Sequence, residues 1–280
     1  HRGWNRMEAE HVVDAIVARS ASKMFLDGAV VAFRQLNLVV RDKEILCVVG
    51  PSGCGKTTFL RCIAGLTDLS SGTLKVDGTP VAGPPPGVAM VFQHFGLLPW
   101  KTVYENAAFG LAMAGTPSAV IKERVAHYLD LVGLAGFERH YPYQLSGGMQ
   151  QRVGLVRALA INPTILLMDE PFAALDAQTR EVLQEELLAL MDDPAERKTM
   201  VFITHSIDEA ILLGDRVAIM TARPGRAKEI IDMPFGRPRD VEAVRADPHF
   251  PELRAHIWRQ LHTAQTRRPK PGSKPAKEVA

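Results

Sequence analysis

Residues 50–57 read Gly50-Pro51-Ser52-Gly53-Cys54-Gly55-Lys56-Thr57 and fit the pattern G-x-x-x-x-G-K-[ST], in which backbone N–H groups cradle phosphate. The apolar run 45–49 precedes this phosphate loop, and residues 59–64 follow it with apolar side chains on one helical face. A loop held between a buried strand and a helix directs its N–H groups at one anion. The alternative, a glycine-rich turn before a helix, is disfavoured by these flanks. The sequence therefore predicts a nucleotide site.

The composition is that of an ordinary globular chain, with 280 residues of which 46% are hydrophobic and 23% charged. The sequence contains no apolar run long enough for a membrane-spanning helix, and its first residues lack the basic-then-apolar order of a signal peptide. We therefore expect a chain that stays in the cytosol. Cys47, Cys54 and Cys62 have no C-x-x-C spacing, which predicts reduced packing residues.

Short apolar runs alternate with amphipathic stretches, which predicts an α/β fold with a mainly parallel sheet. Three runs are candidates for central strands, residues 46–49, 165–168 and 200–203, and polar residues follow each of them. Ligands bind beyond the carboxyl ends of such strands, so we expect these polar residues to meet in one crevice. Residues 33–40, 73–76 and 88–92 alternate in the manner of antiparallel strands.

The domain organisation follows from changes in pattern along the chain. Residues 95–163 are rich in helical periodicity, above all 118–132 and 149–160, and are interpreted as an inserted helical subdomain. We predict an N-terminal extension over residues 1–19, a main domain over 20–260, and a basic, Pro-rich tail over 261–280. The last fourteen residues hold five Lys or Arg against one Glu, a composition typical of disorder.

Two adjacent carboxylates follow the apolar strand 165–168. Side chains of neighbouring strand residues point in opposite directions, so Asp169 and Glu170 can have different roles. Asp169 suits the Mg²⁺ shell together with the Thr57 hydroxyl, and Glu170 could polarise a water that attacks the terminal phosphate. Lys56 would reach the outer phosphates. The alternative, a solvated acidic turn, is disfavoured by the phosphate loop.

Residues 145–152 read Leu145-Ser146-Gly147-Gly148-Met149-Gln150-Gln151-Arg152 and form the second strong motif. Ser146 is a good N-cap, and the two glycines leave backbone N–H groups bare at the start of the helix predicted over 149–160. A second anion site therefore exists on the same chain. The alternative is a capped helix whose glycines serve only a turn.

These motifs resemble, in content and order, those of the nucleotide-binding subunit of ATP-binding cassette (ABC) transporters, over about residues 20–260. Residues 145–150 match the signature sequence of that family. The resemblance implies an ATPase that uses ATP and Mg²⁺. It also implies a phosphate-loop NTPase core with a mainly parallel sheet, an antiparallel β subdomain and an inserted α-helical subdomain.

The resemblance assigns further residues by position. Gln93 matches the Q-loop residue that senses the metal and the attacking water. Ala174-Leu175-Asp176 matches the D-loop, and His205 matches the switch histidine that contacts the γ-phosphate. Phe25 stands where the family places an aromatic on adenine. Taken singly, these could be a loop amide, a structural histidine and a core aromatic. The predicted nucleotide-binding residues are Phe25, Gly50, Pro51, Ser52, Gly53, Cys54, Gly55, Lys56, Thr57, Thr58, Ser146, Gly147, Gly148, Gln150 and Asp176; the metal ligands Thr57, Gln93 and Asp169; and the catalytic residues Glu170, His205 and Gln93.

One copy of the chain should not suffice to form a complete ATP site. A helix N-terminus stabilises an anion by only about 0.3–2 kcal/mol, so the signature cannot hold ATP alone. The resemblance implies a head-to-tail dimer in which a second copy closes its signature over bound ATP. It also implies separate membrane permease subunits, docked beside Gln93 through Leu97-Leu98-Pro99-Trp100 unless these residues pack internally. A solute-binding protein would act indirectly, no nucleic acid is expected, and the location would be the cytoplasmic face of the inner membrane.

Residues 95–100 and 221–226 are similar to segments of the importers for nitrate, sulfonates, taurine and related anions. Ser206 stands where the family usually has Asp. Three rival functions are weaker. A soluble ABC ATPase acting on ribosomes or nucleic acid usually has two cassettes or sustained heptads, whereas this chain has one phosphate loop and no sustained heptads. A GTPase would need an Asn-Lys-x-Asp motif to recognise guanine, and the chain has none. A kinase would give no reason for the signature sequence. A silent regulatory subunit is disfavoured because Lys56, Asp169, Glu170 and His205 are intact.

Overall fold

The computed structural model describes residues 14–93, 96–173, 175–194 and 197–263. Its strands are β1 Asp14–Phe25, β2 Val30–Arg41, β3 Ile45–Val49, β4 Ser71–Val76, β5 Thr79–Pro80, β6 Val88–Val91, β7 Ile165–Asp169, β8 Thr199–Ile203, β9 Arg216–Met220 and β10 Ala227–Asp232. Its helices are α1 Lys56–Ile63, α2 Val103–Met113, α3 Ser118–Leu131, α4 Gly147–Ala160, α5 Ala177–Asp192, α6 Ile207–Leu213, α7 Val241–Ala246 and α8 His249–Thr263.

The larger sheet has the order β10-β9-β3-β8-β7-β6, and all of its pairs are parallel except that of β10 with β9. Every residue of β3, β7 and β8 is buried, because both faces of this sheet are covered. Along β3, Ile45, Cys47 and Val49 enter one core, and Leu46 and Val48 enter the other. The three predicted central strands are thus present.

The smaller sheet is antiparallel, with the order β2-β1-β4-β5. It shares a core with α1, in which Phe33 of β2 meets Phe59 of α1 edge to face, with ring centroids 5.7 Å apart. The helices α2 to α6 contribute to the core on the opposite face of the larger sheet. The helix that follows the phosphate loop is therefore clamped between the two sheets.

The helical stretch predicted between residues 95 and 163 contains α2, α3 and α4. Helix α2 begins with a capping box, in which Thr102 Oγ1 accepts from Glu105 N and the Glu105 carboxylate accepts from Thr102 N. Helices α3 and α4 match the stretches predicted over 118–132 and 149–160. Among the residues that the structure describes, no helix combines the length and apolar character needed to cross a membrane.

One strand direction and two boundaries differ from the sequence-based expectations. Strand β6 pairs parallel with β7 rather than antiparallel, since its alternation of buried and half-buried residues reflects a position at the sheet edge. Residues 14–19 belong to β1 and not to an extension, because they pair with β2 and β4. Helix α8 continues past residue 260. The predictions for residues 1–13, Phe95, Ala174 and the tail from residue 264 lie outside the described residues.

Candidate active site

Four parallel strands carry the loops that form one cavity at their carboxyl ends. The phosphate loop follows β3, Glu170 follows β7, His205 follows β8, and Arg223 lies shortly after β9. The carboxyl ends of parallel strands lie at the same edge of a sheet, which explains the convergence. The cavity measures about 430 Å³ and is lined by Phe25, Val30, Val31, Ala32, Ser52, Gly53, Gly55, Lys56, Thr57, Thr58, Gln93, Glu170, His205 and Arg223.

The phosphate loop presents the start of α1 to this cavity. Helix α1 begins at Lys56, and its N-cap Gly55 supplies no side-chain cap, so the N–H groups of the first turn are left for a ligand. Gly55 has φ of 91°, and a Cβ there would lie 2.7 Å from the backbone oxygen of Ala32. Only glycine therefore allows β2 to approach the loop this closely.

Lys56 supplies the positive charge of the loop. Its side chain is buried, and its Nζ donates to Gly50 O at 2.8 Å and to Pro51 O at 3.2 Å. These carbonyls hold the ammonium group inside the curve of the loop, where a phosphate would meet it. Gly50, Pro51 and Cys54, also predicted as nucleotide-binding residues, do not line the cavity. Cys54 is buried, and desolvation raises the pKa of its thiol, so it packs as a neutral side chain.

Asp169 and Thr57 meet at the base of the loop. Thr57 Oγ1 donates to Asp169 Oδ1 at 3.0 Å, and the Asp169 side chain is buried. Burial raises the pKa of this carboxyl even though the hydrogen bond from Thr57 lowers it. A buried carboxylate beside a hydroxyl is a set of hard oxygen donors that suits Mg²⁺, and a cation there would offset the desolvation. The residues present therefore fit the predicted metal.

Glu170 is the meeting point of the three predicted catalytic residues. Its Oε1 lies 2.6 Å from His205 Nε2, and its Oε2 accepts from Gln93 Nε2 at 3.5 Å. The Glu170 backbone has φ of 50°, a left-handed conformation that disfavours a residue with a Cβ by about 1–2 kcal/mol. Its N–H nevertheless stays bonded to Ile203 O at 3.0 Å. Such strain is typical of functional positions.

Phe25 offers an aromatic face to the same cavity. The residue is 41% exposed, a large fraction for an apolar residue, and Lys23 Nζ lies 5.0 Å from the ring centroid. Val30, Val31 and Ala32 of the neighbouring strand also line the cavity. An exposed ring of this kind can stack on a nucleotide base.

The signature segment, residues 145–150, does not line the cavity. Ser146 Oγ accepts from Met149 N at 3.2 Å and caps α4, as the sequence predicts. Gln150 donates to Pro142 O and Leu145 O, and so supports the turn before the helix. Ser146 and Gly147 are exposed, and a Cβ added at Gly147 would have nothing within 4 Å.

The signature segment lies against the turn that contains Asp176. A Cβ at Gly148 would lie 3.2 Å from Thr179 Cγ2 and 3.3 Å from Leu175 Cδ2. Asp176 caps α5 by accepting from Thr179 N at 2.9 Å and Thr179 Oγ1 at 2.7 Å, and these bonds lower the pKa of its carboxyl. Apart from Gly50, Pro51 and Cys54, the predicted nucleotide-binding residues therefore fall into two sets, one in the cavity and one around Gly148.

Sequence reasoning missed Arg223 and the strand residues Val30, Val31 and Ala32. Arg223 Nε donates to Gly53 O at 3.3 Å and so holds the outside of the phosphate loop. A signal was available for Arg223, since it follows a strand parallel to β3 and must emerge at the same edge. Nothing in the sequence near residues 30–32 indicates a contact with the loop, which arises only from the approach of the two sheets.

The segment Leu97-Leu98-Pro99-Trp100 is divided between the interior and the surface. Leu97 packs against the core. Asn106 of α2 holds Leu98 by two hydrogen bonds: its Oδ1 accepts from Leu98 N at 2.8 Å, and its Nδ2 donates to Leu98 O at 3.1 Å. Trp100 is 69% exposed. Internal packing and an apolar contact surface are therefore both present in these four residues.

Comparison with known proteins identifies a family. Residues 33–173 match the family described as ABC transporter. An uncharacterized ABC transporter ATP-binding protein, MJ0412 of Methanocaldococcus jannaschii, is 52% identical over 79% of this chain and 82% of its own length. The nitrate import ATP-binding protein NrtD of Synechococcus elongatus is 46% identical over 81% of this chain and 83% of its own length. The taurine import ATP-binding protein TauB of Rhizobium johnstonii is 45% identical over 84% of this chain and 90% of its own length.

A solved structure agrees with these relatives. The dimeric structure of a post-hydrolysis state of the ATP-binding cassette MJ0796, bound to ADP and Pi, superimposes with a TM-score of 0.69. It is 30% identical to this chain, and the match covers 78% of this chain and 98% of MJ0796. The predicted fold class, a phosphate-loop NTPase core with an antiparallel sheet and inserted helices, is thereby confirmed.

Proposed function

The chain belongs to the ABC transporter family as an ATP-binding subunit with ATPase activity, and on that premise we propose that two copies couple ATP binding and hydrolysis to solute import through separate permease subunits. One observation carries this proposal. Lys56, Glu170 and His205 line a single cavity, whereas the signature segment lies outside it with Gly147 exposed. One chain therefore holds two complementary half-sites.

ATP binding in the cavity follows from the charges and ring faces described. The base would stack on Phe25, and the phosphates would lie along the N–H groups at the start of α1. Lys56 would exchange contacts with Gly50 O and Pro51 O for contacts with phosphate oxygens. Arg223, bonded to Gly53 O on the outer side of the loop, adds a second positive charge at the cavity wall.

Thr57, Asp169 and Gln93 are the residues that we propose for Mg²⁺. In the described part of the chain, no group of three or more His, Cys, Asp or Glu could hold a metal ion by itself. This fits an ion that is held by one carboxylate and neutral side-chain oxygens together with phosphates and water. Bound there, Mg²⁺ supplies charge neutralisation at the transferred phosphoryl group.

Hydrolysis would depend on Glu170. A carboxylate that lines the cavity can accept a hydrogen bond from water and direct the water oxygen at the terminal phosphate. His205 Nε2, at 2.6 Å from Oε1, fixes the orientation of this carboxylate. Gln93 Nε2 at 3.5 Å from Oε2 restrains the other oxygen. The left-handed backbone of Glu170 places the side chain for this contact.

The second copy would complete the site. The bare N–H groups of Gly147 and Gly148 begin α4, and the open space beside Gly147 leaves room for a phosphate from outside the chain. A two-fold dimer would place the signature of each chain over the cavity of the other, so that two ATP molecules join the copies. The similar cassette MJ0796, whose solved structure is dimeric, supports the pairing of two copies.

The transported solute is proposed from the relatives. NrtD is a nitrate import protein and TauB a taurine import protein, so we propose import of nitrate, taurine, a sulfonate or a related small anion, with a solute-binding protein acting on the permease. The exposed Trp100 beside the Gln93 region is the proposed permease contact. The chain would then lie at the cytoplasmic face of the inner membrane.

Glu170→Gln tests the ATPase cycle. The amide keeps the shape of the side chain but is a poor base, so ATP should bind and remain unhydrolysed. We expect a stable dimer with ATP, measured by analytical ultracentrifugation, and almost no phosphate release. The control is Glu181→Gln, an exposed change on α5 that should leave turnover and the ADP-state monomer unchanged. A monomeric Glu170→Gln protein at saturating ATP would contradict the proposal.

The import step needs a separate experiment. Co-purification of the chain from membranes should recover an integral membrane protein, and Trp100→Ala should reduce that recovery without changing ATP affinity. Vesicles that contain the complex and a solute-binding protein should then take up radiolabelled taurine or nitrate in an ATP-dependent manner. Recovery of nucleic acid instead of a membrane protein would contradict the transport role.

A further inference from the structure

A buried carboxylate lies behind His205 and is not explained by ATP binding. Glu209 of α6 is 7% exposed, and desolvation raises the pKa of its carboxyl. Burying a carboxylate is unfavourable unless polar partners compensate, and a helix of this length could be anchored by apolar residues alone. The partners of Glu209 therefore indicate what it does.

Glu209 holds both neighbours of His205. Its Oε2 accepts a hydrogen bond from Thr204 Oγ1, and its backbone N donates to Ser206 Oγ at 3.2 Å. Thr204 Oγ1 in turn accepts from Ser206 N at 3.0 Å. The Glu209 carboxylate thus reaches His205 through the Thr204 hydroxyl, which also holds the backbone N–H of Ser206, whereas the bond from Glu209 N to Ser206 Oγ is the N-cap of α6. Among the described residues, the imidazole itself is bonded only to Glu170.

The other oxygen of Glu209 faces α5. Its Oε1 accepts from Gln184 Nε2 at 3.1 Å and lies 3.7 Å from Arg180 Nε. Arg180 Nη2 donates to Leu175 O at 2.8 Å. Leu175 precedes Asp176 and lies against the signature segment at Gly148. The same carboxylate therefore joins the loop of His205 to the surface that the second copy would cover.

We propose that Glu209 is a positioning residue for hydrolysis, which sets the place of His205 through Thr204 and Ser206 and ties that place to the Leu175–Asp176 turn through Arg180. A contact made by the second copy at Asp176 would then alter the His205–Glu170 pair within the same chain. This inference rests on the proposed function, because it assumes that His205 takes part in hydrolysis.

The chain offers two conservative variants of this link. Glu209→Gln keeps a hydrogen-bond partner for Thr204, and Gln184 can rotate its amide to match the new side chain, so mainly the charge opposite Arg180 is lost. Arg180→Gln removes the same charge pair from a side chain that is only partly buried. Glu181→Gln, one position along α5 and exposed, is the matched control.

Four measurements on the full chain test the proposal, namely ATP turnover, ATP affinity, the melting temperature and the imidazole NMR signal of His205, which is assigned by its loss in His205→Gln. We expect Glu209→Gln and Arg180→Gln each to lower kcat about tenfold and to change ATP affinity less than about twofold. The double variant should lose no more than the worse single variant. Both changes should shift the His205 signal, although neither side chain contacts the imidazole.

Several results would overturn the proposal. These are wild-type turnover in both variants, additive losses in the double variant, an unmoved His205 signal, or losses of affinity and melting temperature in proportion to the loss of turnover. The last result would mean that the link only stabilises the fold. Failure of the proposed function is distinguishable, since it would show as absent hydrolysis in the wild type or a monomeric Glu170→Gln protein, whereas the His205 signal needs no turnover.

Discussion

His205 Nε2 lies 2.6 Å from Glu170 Oε1, in a pair that joins the ends of two neighbouring parallel strands. The backbone of Glu170 is bonded to the strand of His205 as well, through Glu170 N and Ile203 O. The pair is therefore held at two points, one in the sheet and one in the side chains. Movement of either loop would change the direction of the Glu170 carboxylate, which explains why His205 and Glu170 should act as one unit.

His205→Gln should lower ATP turnover about a hundredfold, because His205 orients the Glu170 carboxylate and a positioned acid–base group contributes about 10²–10⁴-fold. ATP affinity should change little, since Lys56 and the N–H groups of α1 remain. Steady-state phosphate release and the binding of a fluorescent ATP analogue measure the two quantities. His256→Gln, which alters a histidine paired with Glu229 on the surface, should retain wild-type turnover. Equal losses in the two variants would contradict a special role for His205.

Gly147→Ala and Gly148→Ala should separate dimer formation from folding. A Cβ at Gly147 meets nothing within 4 Å, so the melting temperature should stay the same, but the methyl group would obstruct a phosphate brought by the second copy. In the Glu170→Gln background, Gly147→Ala should therefore abolish the ATP-dependent dimer. A Cβ at Gly148 lies only 3.2 Å from Thr179 Cγ2 and should lower stability as well. A Gly147→Ala protein that still dimerises would exclude this closure.

Phe25→Ala should weaken ATP binding by about tenfold or more, because stacking on a base is worth about 1–3 kcal/mol. Inorganic tripolyphosphate has no base, so its affinity should be unchanged, and Phe25→Tyr should restore ATP binding. Competition against a fluorescent ATP analogue measures the ATP affinity of both variants and the tripolyphosphate affinity of Phe25→Ala. Phe109→Ala, at a partly exposed aromatic of α2, serves as the control. Equal losses for ATP and tripolyphosphate would show that Phe25 shapes the loop rather than binding the base.

Glu44→Gln should change the pH dependence of stability. Burial raises the pKa of the Glu44 carboxyl above its ordinary value of 4.5, even though Arg216 Nη1 lies 3.0 Å from Oε1. Because the pKa is raised in the folded state, the carboxyl contributes to the free energy of unfolding. This contribution is fully present below pH 4.5 and is lost as the pH rises through the folded-state pKa. The free energy of unfolding of the wild type, relative to the variant, should therefore fall with rising pH.

Urea unfolding of both proteins between pH 4 and pH 7 measures this difference. Arg216 loses its buried partner in the variant, so a constant offset in stability is expected at every pH. The slope, rather than the offset, carries the prediction. A difference that stays constant or grows as the pH rises would mean that Arg216 dominates and that the pKa is not raised.

Local sequence patterns were sufficient to predict most residues of the candidate site. The phosphate loop, Asp169-Glu170 and the Ser146 cap are each encoded by residues that are neighbours in sequence, so their chemistry could be predicted from spacing. The antiparallel direction expected for residues 88–92 was wrong because a period of two reports which faces are buried, and an edge strand of a parallel sheet shows the same period. Arg223 was missed because it contacts Gly53, which is distant in the chain, and Glu209 was missed because its role depends on the contacts with Arg180 and Gln184 of α5.

The motifs therefore predicted the nucleotide and the individual groups, and they indicated the family that the comparisons confirm, since backbone N–H donors, a lysine and two carboxylates have the same chemistry wherever they lie. Only the folded structure showed that Glu170 pairs with His205, that Gly147 is open to solvent, and that Glu209 links α6 to α5. These relationships depend on which strands are adjacent and how the helices pack. Long-range packing brings together atoms whose separation along the chain carries no information about their distance in space.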